Sequence, residues 1–123
     1  MANELTVSGL RIAFTKTDCP SVSLSAGSLT IDVAGTQVND IVQLVGTSEE
    51  PILQGDVAAG GYMFVQNMDP TNFVSLRQAT GGGNFIKLLA GEWAIFRLSA
   101  DASTPYAIAD TAACNVRFLR FDL

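Results

Sequence analysis

The chain contains no histidine. That removes the side chain that most often acts as a general base near neutral pH and most often ligates metals, so neither a Ser-His-Asp nor a Cys-His nucleophile can be assembled. Charge is scarce: 15% of the 123 residues are Asp, Glu, Lys or Arg, against about 25% in an ordinary soluble domain. Cysteine is limited to Cys19 and Cys114, far apart and outside any CxxC spacing. In a reducing compartment such residues are small buried thiols rather than a disulfide, and two isolated cysteines make no zinc site. No metal and no other cofactor is expected. No apolar run reaches the roughly 18 residues of a membrane span. The opening Met-Ala-Asn-Glu-Leu-Thr-Val-Ser lacks the basic region and apolar run of a secretory signal, so synthesis in a cytoplasm is expected. Helical periodicity is missing too; Asp110-Thr111-Ala112-Ala113 is the one place where a helical turn is expected.

What is present is apolar and acidic. Apolar residues make up 48% of the chain and the formal net charge is −5. This length suits one domain, residues 1–123, with a real core. An apolar excess with few charges predicts that part of the surface meets another chain, hence a homo-oligomer or a docked subunit. The acidic balance argues against nucleic acid, whose affinity comes largely from Lys and Arg releasing counterions.

Alternation of apolar and polar residues predicts strands throughout. Leu5 and Val7 give way to Leu10, Ile12 and Phe14, a parity switch at Ser8-Gly9 that reads as a glycine bulge. Thr17-Asp18-Cys19-Pro20 ends that strand. Val22 and Leu24 begin a second, Ala26-Gly27-Ser28 reads as a turn, and Leu29, Ile31 and Val33 form a third. Val38 to Val45 is apolar on both faces, as in a central or interface strand. Ile52 and Leu53 are a short strand candidate inside an irregular connection from Gly46 to Gly61. Tyr62–Val65 with Phe73–Leu76, and Phe85–Leu89 with Trp93–Leu98, read as two turn-joined strand pairs of a meander, with Thr80-Gly81-Gly82-Gly83-Asn84 between them. Tyr106 to Ile108 is a brief strand and Val116 to Leu123 the last. About eight to ten short strands of this spacing predict an all-β, antiparallel β-sandwich, jelly-roll-like, with residues 1–5 as an N-terminal arm that adds an edge strand to a neighbour.

Candidate chemistry is thin. Glu49-Glu50 are adjacent residues that point to opposite sides of an extended chain, and read as a solvated loop rather than an acid/base pair. Asp69-Pro70-Thr71-Asn72 reads as an Asx-turn rather than a calcium loop. Gly81-Gly82-Gly83 is followed by no Lys-Ser/Thr pair and reads as a β-connection rather than a phosphate cradle. Trp93 alternates with Ile95 and Arg97 on the second face of its strand, where it serves the core or a subunit interface, or alternatively forms a sugar-stacking platform with Tyr62 and Tyr106. Arg117 and Arg120 interrupt an apolar strand that includes Phe121. They suit either a subunit interface or a central strand with two rim arginines. The interface candidates are therefore Trp93, Arg117, Arg120 and Phe121, and no enzymatic site is expected.

Three stretches carry a family resemblance. Gly60-Gly61-Tyr62-Met63-Phe64-Val65-Gln66-Asn67, with Asp69-Pro70-Thr71-Asn72-Phe73-Val74, is the first. The others are Leu88-Leu89-Ala90-Gly91-Glu92-Trp93-Ala94-Ile95-Phe96-Arg97-Leu98 and Tyr106-Ala107-Ile108-Ala109-Asp110-Thr111. Together they resemble small β-sandwich virion structural proteins of tailed bacteriophages. The resemblance implies a capsid decoration or cement subunit in the virion, made in the bacterial cytoplasm. It docks without covalent chemistry on the major capsid protein or another virion protein, as a trimer in the first instance and a dimer in the second. The alternatives are a head-tail connector or tail component, and a carbohydrate-binding module at a tail tip.

Overall fold

The computed structural model describes residues 5–57, 60–99 and 104–122. They form twelve strands and, among the described residues, no helix. The chain falls into two compact units, residues 1–34 and 35–123. Of the expected N-terminal arm at residues 1–5, all but Leu5 lies outside the described residues.

The first unit is one antiparallel ribbon. Strand β1 (Leu5–Val7) pairs with β4 (Leu29–Ile31), and β2 (Arg11–Phe14) with β3 (Val22–Ser25). The register is the same in both pairs, Leu5 opposite Ile31 and Phe14 opposite Val22. Ala26-Gly27-Ser28 is therefore not a turn between hairpins. Ala26 N–H donates to the Leu10 carbonyl at 3.1 Å, which carries the ladder across the interruption. The ribbon's tip is centred on Asp18, at φ 63°, a left-handed conformation that Asp tolerates through its short polar side chain. Cys19 N–H closes the tip onto the Lys16 carbonyl at 3.1 Å.

The second unit is a β-sandwich of β5 (Val38–Val45), β6 (Glu50–Pro51), β7 (Gly61–Asn67), β8 (Val74–Arg77), β9 (Asn84–Leu88), β10 (Trp93–Leu98), β11 (Tyr106–Ala109) and β12 (Cys114–Phe121). One sheet runs β10-β7-β12-β5, the other β6-β11-β8-β9, and all pairs are antiparallel. Numbered within the unit, the sheets are first-eighth-third-sixth and second-seventh-fourth-fifth, which is the jelly-roll order. Its first half pairs with its second half as in a single hairpin, strand for strand, about the glycine loop at 80–83. The sandwich is thus a long ribbon rolled so that alternate residues meet.

The predicted meander does not form. β7 and β8 lie in different sheets, as do β9 and β10, so the turns at 68–73 and 89–92 are corners between sheets; of the four strands only β8 and β9 make a hairpin. The helical turn expected at Asp110–Ala113 is a sequence of bends, and the short strand is Glu50–Pro51 rather than Ile52-Leu53.

The core follows from the alternation. On β7, Met63 and Val65 point inward; on β12, Cys114, Val116 and Phe118 do; Val45, Val74, Leu76, Leu88, Ala107 and Ala109 complete the layer with Ile52. The Val, Leu, Ile, Phe and Met side chains at this depth contribute about 1.5–3 kcal/mol each. Where β7 begins beside the end of β12, Gly61, at φ 96°, is required because a Cβ would run into the Phe121 carbonyl.

Three buried polar side chains lock loops to this core. Gln43 donates to Glu50 Oε1 (2.8 Å) and the Pro51 carbonyl (3.1 Å) and accepts from Leu53 N–H (3.0 Å). Asn67 donates to the carbonyls of Asn72 (2.9 Å) and Leu88 (3.0 Å) and accepts from Asp69 N–H (3.0 Å), so it holds the first corner shut. Arg120 is the third, and belongs to the site.

Candidate docking face

Strand parity sorts the interface candidates. Arg117 and Phe121 are odd-numbered in β12 and lie on the outer face of the sheet; Arg120 is even-numbered and turns inward. Only 3% exposed, it donates through Nε and Nη2 to the Gly60 carbonyl (2.9 and 2.5 Å) and through Nη1 to Gln54 Oε1 (2.7 Å). Burial pushes its pKa down, against the opposing pull of Asp122. Arg120 is a structural clamp on the connection before β7, neither a rim nor an interface arginine.

The outer face is built from rows that cross the four strands. The register aligns Trp93, Gln66, Arg117 and Val42 in one row, Ile95, Phe64, Leu119 and Asp40 in the next, and Arg97, Tyr62, Phe121 and Val38 in the third. Leu44 stands opposite Asn115 at the end. Trp93 is 50% exposed, Val42 55% and Leu44 62%. Phe64 and Trp93 rings lie 5.9 Å apart, tilted by 35°. The Arg97 guanidinium sits 5.7 Å from the centre of the Tyr62 ring. The face thus carries apolar side chains from all four strands with charges at intervals, a composition able to meet another chain.

One ion pair crosses the face. Arg117 grips Asp40 with both arms of its fork, Nε to Oδ1 at 3.0 Å and Nη2 to Oδ2 at 2.8 Å. The hydrogen bond from Arg117 holds the Asp40 carboxyl below its ordinary pKa, although burial opposes it. In the open such a pair contributes little stability. Covered by a partner, it presents two charges already matched to each other.

The remaining sequence candidates have structural roles. Glu49 is not a solvated loop residue: its carboxylate accepts from Thr80 Oγ1 (2.5 Å), Gly81 N–H (2.9 Å) and Arg77 Nη1 (2.7 Å), which hold its pKa down and clamp the glycine loop. Gly81 adopts φ 71° there. Glu50 turns the other way, to Gln43 and Gly46 N–H. Asp69 makes the expected Asx-turn, accepting from Asn72 N–H (2.6 Å) and Thr71 N–H (3.0 Å). Those bonds lower its pKa. Cys114 is buried with a raised pKa, chiefly because burial penalises the thiolate. Cys19 is exposed, contrary to expectation, because it sits at a ribbon tip.

An open groove of about 550 Å³ lies beside the edge strand β5, lined by Asn39, Ile41, Ile52, Leu53, Gln54, Gly55 and Thr104. Asn39 Nδ2 already donates to the Leu53 carbonyl across it.

Searches against protein-family models, curated proteins and solved structures found no match.

Phe64 and Leu119 are outer-face residues that alternation alone does not single out. Val42 and Leu44 are signalled by β5, whose apolar residues occupy both faces, and the pairings of β5 with β12 and of β12 with β7 set them on the same face as Leu119 and Phe64.

Proposed function

We propose that this protein is a non-enzymatic virion structural subunit of a tailed bacteriophage, which docks as a homo-oligomer on the assembled capsid and stabilises it. The observation that carries the reading is the half-exposed apolar outer face of the β10-β7-β12-β5 sheet, on a jelly-roll sandwich whose polar clusters serve its own loops. Jelly rolls recur in viral capsid and lectin domains. A fold hosts many functions, so the weight rests on the face and on the resemblance of residues 46 to 121 to small phage virion proteins. A chain with little charge and a net charge of −5 suits a subunit with much buried contact outside the packaged DNA. Docking on the assembled shell and not on its separate subunits would stabilise the shell by mass action.

The test is the number of copies per particle, by quantitative mass spectrometry against the major shell protein. Hundreds of copies support a decoration subunit. A dozen or fewer move the protein to the connector or tail, and absence from particles overturns the reading.

A second reading has one observation in its favour. Trp93, half exposed against Phe64, has the amphipathic ring that sugar-binding sandwiches stack on their ligands. Trp93 is the chain's single tryptophan, so a shift of its fluorescence on adding host glycans reports binding directly. No shift across a glycan panel removes this reading.

A further inference from the structure

The glycine loop between β8 and β9 has little of its own to hold its shape. It runs from Gln78 to Gly83 with three consecutive glycines and no charge, and no residue from Arg77 to Phe85 is buried. Glycine loses more conformational freedom on ordering than any other residue, so a fixed form here needs compensating contacts. Gly82 N–H donates to the Ala79 carbonyl at 3.0 Å, and at the base of the loop Arg77 Nε donates to Asn84 Oδ1 at 2.6 Å.

The other donors of this loop converge on a carboxylate from elsewhere in the chain. Glu49 lies across β11 from β8, just before β6. Its neighbour Glu50 stands opposite the buried Ala107 and is held by Gln43 Nε2 and Gly46 N–H. Alternation therefore presents Glu49 to the outer side, where Arg77 stands opposite Tyr106. Both carboxylate oxygens are met. Oε1 accepts from Thr80 Oγ1 (2.5 Å) and Gly81 N–H (2.9 Å), and Oε2 from Arg77 Nη1 (2.7 Å) and again from Gly81 N–H (3.1 Å).

We propose that Arg77, Thr80 and Gly81 form a binding site for a monocarboxylate, that the glycine loop is ordered by this ligand, and that Glu49 is the resident ligand built into the chain. The site does not depend on the capsid reading. Its donor set fits the class. One N–H shared between two oxygens, with a hydroxyl serving one of them and a guanidinium the other, matches a planar two-oxygen head and offers nothing to the third oxygen of a phosphate or sulfate. Bonds in which an ionised group takes part are the strong ones, and backbone N–H groups in turns commonly make such anion-binding concavities. The chain's net charge of −5 further disfavours a dianion. Bonds from Thr80, then from Arg77 and Gly81, hold the Glu49 carboxyl below its ordinary pKa, so the charged form fills the cradle at neutral pH.

A carboxylate already positioned by the fold competes at an effective concentration far above that of a free one. The wild type therefore keeps Glu49 in place and takes up no free acid. Glu49→Ala removes the side chain beyond Cβ and leaves room for acetate, whose methyl group falls where Cγ stood.

The test uses the full chain, labelled with nitrogen-15, and follows the amide resonances of Thr80 to Gly83 as sodium acetate replaces sodium chloride at constant ionic strength and neutral pH. In Glu49→Ala those resonances are expected to shift and broaden, and Gly81 N–H to exchange about tenfold faster as local opening becomes easier. Acetate should return them toward their wild-type positions along a saturable curve with a midpoint of about 10–100 mM, in keeping with a ligand of few heavy atoms. Wild type should show no such curve, and Arg77→Met added to Glu49→Ala should abolish it.

An unchanged Gly81 exchange rate in Glu49→Ala overturns the proposal, since the loop then keeps its form without a ligand. So does a response that chloride or sulfate reproduces, or one that survives Arg77→Met. A saturable curve in the wild type overturns Glu49 as the resident. Circular dichroism checks that each variant is folded. Should Glu49→Ala fail that check, Glu49→Gln carries the test, because it keeps the volume and offers a neutral, weaker acceptor: Gly81 exchange should rise about threefold, and an unchanged rate overturns the proposal.

Discussion

The chain makes two antiparallel ribbons and treats them differently. One is centred on Asp18 and keeps one register along its length; the other is centred on the glycine loop at 80–83 and pairs strand for strand from Val38 to Phe121. Both alternate apolar and polar residues. In the second, alternate residues vanish from solvent, with Met63, Val65, Val74 and Val116 wholly buried. In the first, Ile12 and Leu24 remain half exposed. Alternation alone therefore does not bury anything. A ribbon acquires an inside only when another sheet face covers it, and the longer ribbon is long enough to supply that face itself by turning corners at Asn67 and Gly91.

The largest effect that would break this contrast is expected at Phe118, the largest fully buried side chain. Phe118→Ala should cost about 3–5 kcal/mol, read as a lower urea midpoint. The contrast fails if Leu24→Ser costs as much.

Polar clamps come next. Arg120→Met keeps most of the volume but leaves the Gly60 carbonyl and Gln54 Oε1 without their donor. A loss of about 2–3 kcal/mol is expected, because unpaired buried groups retain their desolvation penalty. The same denaturation curve reads it, and a neutral result would return Arg120 to the surface roles that the sequence suggested.

Acid sharpens the comparison further. Glu49, Asp69 and Asp40 have folded pKa values below their ordinary 4.5, 3.8 and 3.8. Between the unfolded and folded values the unfolded chain binds more protons, so their contribution is complete above about pH 4.5 and is lost as pH falls through the lowered values. The urea midpoint of the sandwich should drop over that window. Glu49→Gln should flatten part of the drop, whereas an unchanged slope would mean the Thr80, Arg77 and Gly81 contacts do not persist in solution.

The smallest expected effect is the arm's own. Leu24→Ser should change the stability of the sandwich by no more than about 0.5 kcal/mol, the scale of surface substitutions. Limited trypsin digestion complements it: cleavage is expected first at Lys16, at the exposed tip, while the fragment carrying residues 35–122 persists.

Strand content, the two-faced pattern of β5, the side on which Trp93 lies and the Asx-turn at Asp69 were all legible in the residues. Each depends on local chemistry: period-two alternation, β-branched side chains, and a carboxylate within reach of the next two amides. The meander was misread for a physical reason as well. Asn67-Met68-Asp69-Pro70-Thr71-Asn72 has the chemistry of a tight reversal whether the chain returns to its own sheet or crosses to the other, and nothing local distinguishes a hairpin from a corner. Glu49 was misread as solvated because its partners Arg77, Thr80 and Gly81 are some thirty positions away.

The sequence by itself determined that this is an all-β, weakly charged chain without the residues for histidine-based catalysis, since composition and alternation act residue by residue. Tertiary structure alone decided the rest. It set β12 between β7 and β5, turned Arg120 inward and Arg117 outward, and gathered Val42, Leu119, Phe64 and Trp93 onto one face. Those neighbours are distant in the chain, and only the closing of the ribbon brings them within contact.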